Sequence, residues 1–175
     1  MNEDTISISD LEKVLKSLQT AAKFQRQAST EGKNKILHEL TKAIEFSKEE
    51  ILGANQEDLN RLPANTASAF RDRITLNDKR IQSMIKTLQD IIKLPDPVGE
   101  IVEEKNLQNG LQLKRVRAPL GVLFMIFESR PNVILEAFAL TFKSGNALLL
   151  RGGYESRSTA KIIYKIIRET LLNFG

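Results

Sequence analysis

Apolar positions in the first half of the chain recur at helical spacing. Leu11, Val14, Leu15 and Leu18 form one stripe, and Ile36, Leu37, Leu40 and Ile44 form the next. Ser9-Asp10 offers a cap before the first stripe. Ser47-x-x-Glu50 has capping-box spacing and opens a helix over Ile51–Leu59, which Arg61-Leu62-Pro63 interrupts. Asn77 or Asp78 caps a further helix bearing Ile81, Met84, Ile85, Leu88 and Ile92 on one face. Pro95-Asp96-Pro97 stops it, because proline lacks an amide donor and restricts the residue before it.

Beyond that point the period changes. Val98–Val102 and Leu111–Arg117 read as two strands of a hairpin around Asn109-Gly110, a strong turn signal. Leu111-Gln112-Leu113-Lys114 alternates, which predicts one packed face and one solvated face. Gly121–Phe127 is a continuous apolar run of strand length, as expected where both sheet faces are covered. Arg130-Pro131-Asn132 turns the chain into a helix over Val133–Lys143 with Ile134, Ala137, Phe138 and Phe142 on its stripe. Ser144-Gly145-Asn146 ends that helix in a left-handed cap, and Ala147–Leu150 is a second buried strand closed by Arg151-Gly152-Gly153. The spacing fits a right-handed β-α-β crossover between parallel strands. Glu155–Phe174 is a last helix with Ile162, Ile163, Ile166, Ile167 and Leu171 inward, and Asn173-Phe174-Gly175 as its cap. The pattern predicts an α/β fold: a helical region over 1–97, a hairpin-like arm over 98–117, and part of a parallel-sheet domain over 118–175.

Composition narrows the class. Hydrophobic content of 41% and charged content of 27% over 175 residues are ordinary for a soluble globular protein. No apolar run approaches the roughly 20 residues of a membrane helix. The opening residues lack the basic-then-apolar pattern of a signal peptide, so the expected location is the cytoplasm. Charge is uneven: residues 1–113 carry 16 basic against 18 acidic side chains, and residues 114–175 carry 10 against 4. A nucleic-acid reader would interleave aromatics with those cations, whereas Phe124, Phe127, Phe138 and Phe142 read as core. Attraction of phosphorylated small molecules explains the asymmetry better, and no nucleic-acid partner is expected.

In parallel sheets, ligands bind beyond the carboxyl ends of the strands. Those ends carry Glu128-Ser129-Arg130 and Arg151-Gly152-Gly153. Glycine lets a backbone approach a ligand, and arginine offers a rigid fork of donors for phosphate; the plain alternative is a turn with a solvated arginine. Arg130 could pair with a carboxylate or acyl phosphate, with Glu128 as its counter-charge. Asn132 could donate to a developing oxyanion or serve as an N-cap. Lys143 reads as a structural cation at a helix terminus, and His38 as a surface or boundary residue. One histidine without cysteine makes no ordinary zinc site, so no metal is expected. Glu49-Glu50 and Glu103-Glu104 read as solvated faces, leaving no acid/base dyad.

Glu-Ser-Arg-Pro-Asn at 128–132, followed by Lys143–Gly153 (K-S-G-N-A-L-L-L-R-G-G), resembles the gamma-glutamyl phosphate reductase family of the aldehyde dehydrogenase superfamily. I-L-G-A-N-Q-E-D-L at Ile51–Leu59, D-R-I-T-L at Asp72–Leu76 and D-P-V-G at Asp96–Gly99 fall in the order that family has. The resemblance covers nearly the whole chain but less than half of the family's usual length. It implies N-terminal helices plus the first β-α-β-α part of an aldehyde-dehydrogenase-like cofactor domain. The implied reaction is NADPH-dependent reduction of L-glutamate 5-phosphate to the 5-semialdehyde, in an enzyme that forms homo-oligomers through the hairpin arm. It implies Arg151, Gly152, Gly153 and Glu155 at NADP, with Arg151 suited to the 2′-phosphate, and Arg130 and Asn132 at the substrate. Tyr154 departs from the lysine or serine usual in the family. The implied reaction needs a cysteine nucleophile, and this chain has no cysteine. The expectation is therefore an incomplete reductase, inactive by itself. Its rival is a non-catalytic remnant that binds a nucleotide or a partner.

Overall fold

The computed structural model describes residues 7–174. Five helices come first: α1 (Ile8–Gln25), α2 (Thr30–Phe46), α3 (Lys48–Arg61), α4 (Ser68–Ile74) and α5 (Asp78–Lys93). A hairpin of β1 (Ile101–Asn106) and β2 (Gln112–Val116) follows. Then come β3 (Val122–Ile126), α6 (Pro131–Lys143), β4 (Ala147–Arg151), a 3₁₀ turn (Tyr154–Ser156) and α7 (Arg157–Phe174). Strands β3 and β4 pair in parallel, Val122 opposite Ala147 through Ile126 opposite Arg151, with α6 as the crossover.

The core lies between helices. Leu37, Leu40, Ile44, Ile51, Ile81, Leu88 and Ile163 are fully buried, each stabilising by roughly 1.5–3 kcal/mol. Helix α2 packs on α5 and α7, α3 packs on α7, and α5 packs on α6. These contacts join the helical region and the β-α-β unit through one continuous apolar cluster.

Buried polar nodes tie the same elements, and they fall on the short motifs that carried the resemblance. Asn55 of α3 donates to the Ile74 carbonyl and to Thr159 Oγ1, and accepts from the Leu76 amide at 2.7 Å. Asp58, fully buried, accepts from the Ser158 amide at 2.9 Å, the Thr159 amide at 2.8 Å and Thr159 Oγ1 at 2.6 Å. It thereby caps the N-terminus of α7 from another helix, and Arg61 pairs with it. Lys33 Nζ, equally buried, donates to Asp96 Oδ2 at 2.8 Å and to the Lys143 carbonyl at 3.3 Å. The Lys143 ammonium reaches Asn34 and, at 3.0 Å, the Ile92 carbonyl. Burial lowers the Lys143 pKa, Asp96 opposing and Lys33 adding to the shift.

Several boundaries differ from the sequence reading. Ser7, not Ser9-Asp10, caps α1 through a bond from the Asp10 amide. Ser47 stands at the start of α3 without a side-chain cap bond, so the capping box does not close. Asn132 is not an N-cap: Arg130 holds that position, Pro131 is the first helical residue, and Asn132 lies inside the first turn. Proline is favoured there because the missing donor would be unpaired anyway. Helix α4 has no separate signal in the sequence pattern, which places residues 68–74 within one helical region. Of the expected cap Asn173-Phe174-Gly175, Phe174 ends α7 and Gly175 lies outside the described residues.

Larger differences concern coverage. The first hairpin strand begins and ends later than expected and the second is shorter at both ends; Leu113 of β2 and the adjoining Leu111 are exposed, and the two-stranded sheet packs neither face. Strand β3 is not covered on both faces, since Phe124 is 58% and Ile126 71% exposed, and Leu148–Leu150 of β4 are only half-buried. On α1, Leu11 and Leu15 also face outward. Two strands alone cannot bury both of their faces, so a pattern that describes a covered strand outlasts its cover.

Other local signals are realised. Gly145, at φ 76°, ends α6 in a Schellman motif: its amide meets the Phe142 carbonyl at 3.1 Å and the Asn146 amide meets Thr141 at 3.0 Å. Asn146 Oδ1 then accepts from the Gly121 amide at 2.8 Å, which sets where β3 starts. Gly110, at φ 85°, closes the β1–β2 turn.

Candidate functional site

The carboxyl ends of β3 and β4 lie side by side, and the ladder runs one step further through the Phe127 amide to the Arg151 carbonyl at 3.0 Å. Two clefts open from this point. One, of about 470 Å³, is lined by Leu150, Arg151, Gly152, Gly153, Tyr154, Arg157, Ala160, Lys161 and Tyr164. Among the described residues it holds three cationic side chains and no carboxylate. Arg157 lies over the Tyr154 ring, 5.6 Å from its centroid. Arg151 is exposed at the end of β4, and among the described residues its guanidinium has no ion-pair or hydrogen-bond partner. Such a set fits a phosphorylated ligand: guanidinium donors, no carboxylate among the described lining residues, and aromatic walls.

The second cleft, of about 350 Å³, lies between the α4–α5 segment and the first turn of α6. Arg130 and Asn132 both line it, with Arg73, Arg80, Asp72 and Glu136. Arg80 is held by Asp72 through two bonds of 3.0 and 2.9 Å, and Arg73 pairs with Glu128 at 3.1 Å. Glu128 therefore balances Arg73, not Arg130 as its spacing had suggested. The Arg130 side chain is left without a partner among the described residues. Asn132 is exposed on the rim.

Glu155 is not among the residues lining the Arg151 cleft; it stands beside it. Its carboxylate accepts from Ser129 Oγ at 2.6 Å, and Ser129 is buried. In the sequence Ser129 stands out only as part of the Glu128–Arg130 loop end. A serine two residues before a helix-starting proline was the available signal, and it reads equally well as turn chemistry. The glycines also look inward. A Cβ on Gly152 would come within 3.0 Å of the Phe127 ring, and one on Gly153 would overlap Ser129 Oγ.

Among the described residues, no group of histidine, cysteine, aspartate and glutamate could hold a metal ion, and no helix is long and apolar enough to cross a membrane. His38 is exposed on α2.

No protein-family model matches the chain. Solved structures do. Methylmalonate-semialdehyde dehydrogenase from Oceanimonas doudoroffii superposes with a TM-score of 0.74 at 17% identity, over 95% of this chain and 32% of its own. The fold is thus that of the aldehyde dehydrogenases, present as an incomplete domain with one small parallel sheet. Gamma-glutamyl phosphate reductase from Thermotoga maritima superposes with a TM-score of 0.88 at 40% identity, over 94% of this chain and 40% of that one. The gamma-glutamyl phosphate reductase of Gluconobacter oxydans is 44% identical over 155 residues, 89% of this chain and 36% of its own length. The chain is homologous to a partial-length region of the gamma-glutamyl phosphate reductases, and spans well under half the length of these relatives.

Proposed function

We propose that this chain forms the cofactor-side part of an NADPH-dependent reductase acting on L-glutamate 5-phosphate in proline synthesis. The observation that carries the reading is Arg151, without a partner among the described residues, in a cationic cleft at the carboxyl end of β4. When bound, the nicotinamide cofactor would supply hydride. The chain's own residues bind and orient: Arg151 holds the 2′-phosphate, while Gly152 and Gly153 present backbone beside it. Arg130 meets the anionic substrate from the neighbouring cleft, and Asn132 offers an amide donor on the same rim. The nucleophilic thiolate is not among these 175 residues, so the region lacks turnover by itself. The exposed leucines of the β1–β2 hairpin suit an arm in subunit association, and a cytoplasmic location suits the chemistry. The second reading, a nucleotide-binding module without chemistry, is favoured by the missing cysteine alone.

Binding decides the cofactor reading. Arg151→Ala should weaken NADPH binding tenfold or more and leave NADH nearly unchanged, since a hydrogen bond to a charged group is worth about 1.5–3 kcal/mol. Equal losses for both nucleotides would remove Arg151 from 2′-phosphate recognition. Turnover of glutamate 5-phosphate by the isolated chain would overturn the assignment of the thiolate to another segment.

A further inference from the structure

The two clefts share one point of contact. Phe127 and Ser129 of the β3–α6 loop occupy the space that side chains at 152 and 153 would take. A Cβ on Gly153 would lie 1.9 Å from Ser129 Oγ and 2.6 Å from Glu155 Oε2. No non-bonded atom can sit at 1.9 Å from a carbon, so any side chain at 153 displaces this pair. Ser129 is 4% exposed, and its hydroxyl donates to Glu155 at 2.6 Å, the short length of a charge-assisted bond. The loops diverge on either side of that bond. Arg130 and Asn132 lead into one cleft, and Gly152, Gly153 and Arg151 line the other.

We propose that Ser129 and Glu155 form a clasp that holds the Arg130 loop against the Gly152–Gly153 turn, fixing the two clefts in one relation, with Glu155 as a positioning residue. The second glycine is required because the clasp fills the volume beside it. Only the purpose of the clasp rests on the cofactor reading; its existence as a coupling does not.

Amide hydrogen exchange of the 175-residue chain without nucleotide tests the coupling. Glu128–Arg130 and Gly152–Glu155 are followed in parallel, with far-UV circular dichroism confirming the fold of each variant. Ser129→Ala and Glu155→Ala should each speed exchange in both segments by roughly tenfold. The double variant should add little to either, because both remove one bond. Glu155→Gln keeps an acceptor oxygen and should stay near wild type. Ser129→Ala deletes a single oxygen and remains informative if Glu155→Ala unfolds the turn. Acceleration confined to the mutated segment, or additive effects, would overturn the clasp. Titration with adenosine 2′-phosphate separates the two readings. Unchanged affinity in Glu155→Gln supports positioning, and lost affinity with unchanged exchange would make Glu155 a direct ligand and overturn it. If the wild type binds no nucleotide, the cofactor reading falls, while the exchange results still decide the clasp.

Discussion

Helices α2, α3, α5 and α7 and the β3–β4 sheet are both rich in apolar residues, yet they end in opposite states. The helices close on one another: their inward leucines and isoleucines, such as Leu37, Ile51, Leu88 and Ile163, are buried, and among the described residues every buried side-chain polar atom has a partner. The sheet leaves Phe124 and Ile126 in the open. An amphipathic helix needs one packed face, which neighbouring helices provide within this chain. A strand of a doubly covered sheet needs two faces and two edges, which α6, α1 and a single partner strand cannot supply. The difference shows that stability resides in the helical side, and that the sheet side carries the Arg151 cleft on a scaffold with unfilled surface.

The largest expected effect is on the buried ion cluster. Asp96→Ala leaves Lys33 charged and unpaired beside Lys143, and should cost about 3–5 kcal/mol in denaturant unfolding. A loss below about 1 kcal/mol would mean that water or a rearranged partner reaches Lys33. The cluster also has a pH signature. Burial pushes the Asp96 carboxyl up, but hydrogen bonds from Lys33, the Val98 amide and Thr30 outweigh it and leave its pKa below the ordinary aspartate value. A group depressed on folding contributes fully above its unfolded pKa and loses that contribution as pH falls through the folded value. Stability should therefore decline on the acid side of the ordinary aspartate range, and Asp96→Asn should flatten that decline.

Next in size is the cap that α3 gives to α7. Asp58→Ala strips acceptors from two backbone amides and the Thr159 hydroxyl, and should cost about 3 kcal/mol. Urea midpoints measure it, and a change confined to exchange at the start of α7 would show that the cap is local, not part of the common core.

The smallest stability effect belongs to the sheet. Phe124→Ser with Ile126→Thr should change stability by only about 0.5 kcal/mol, because neither side chain is buried. The same pair should shift sedimentation of the chain towards monomer, since exposed apolar strands invite pairing between copies. A stability loss as large as that of Asp58→Ala would show that this face is packed after all.

Much of this was legible from spacing. Helix periods located α2, α5 and α7, and Asn109-Gly110 and Ser144-Gly145-Asn146 marked turns whose glycines do take positive φ. Placement of Arg151 at a strand's carboxyl end followed from the β-α-β pattern. Burial of Lys33 and Asp58, and the pairing of half-buried Asp96 with Lys33, was not legible, because charged residues at those spacings look solvated until their distant partners are known. Arg73 fell in the same blind spot: it meets Glu128 across a separation of 55 residues. Asn132 misled as a cap because Pro131 already satisfies the helix start one residue earlier.

Residue-resolved amide exchange across the whole chain tests the contrast between closed helices and open sheet most directly. The account predicts that amides in the middle of α2, α5 and α7 exchange only through global unfolding, while β1–β2 and the β3–β4 ladder exchange at least about a hundredfold faster. Equal protection of the β3–β4 ladder and the helical core would contradict it, and would mean that the sheet is as firmly closed as the helices.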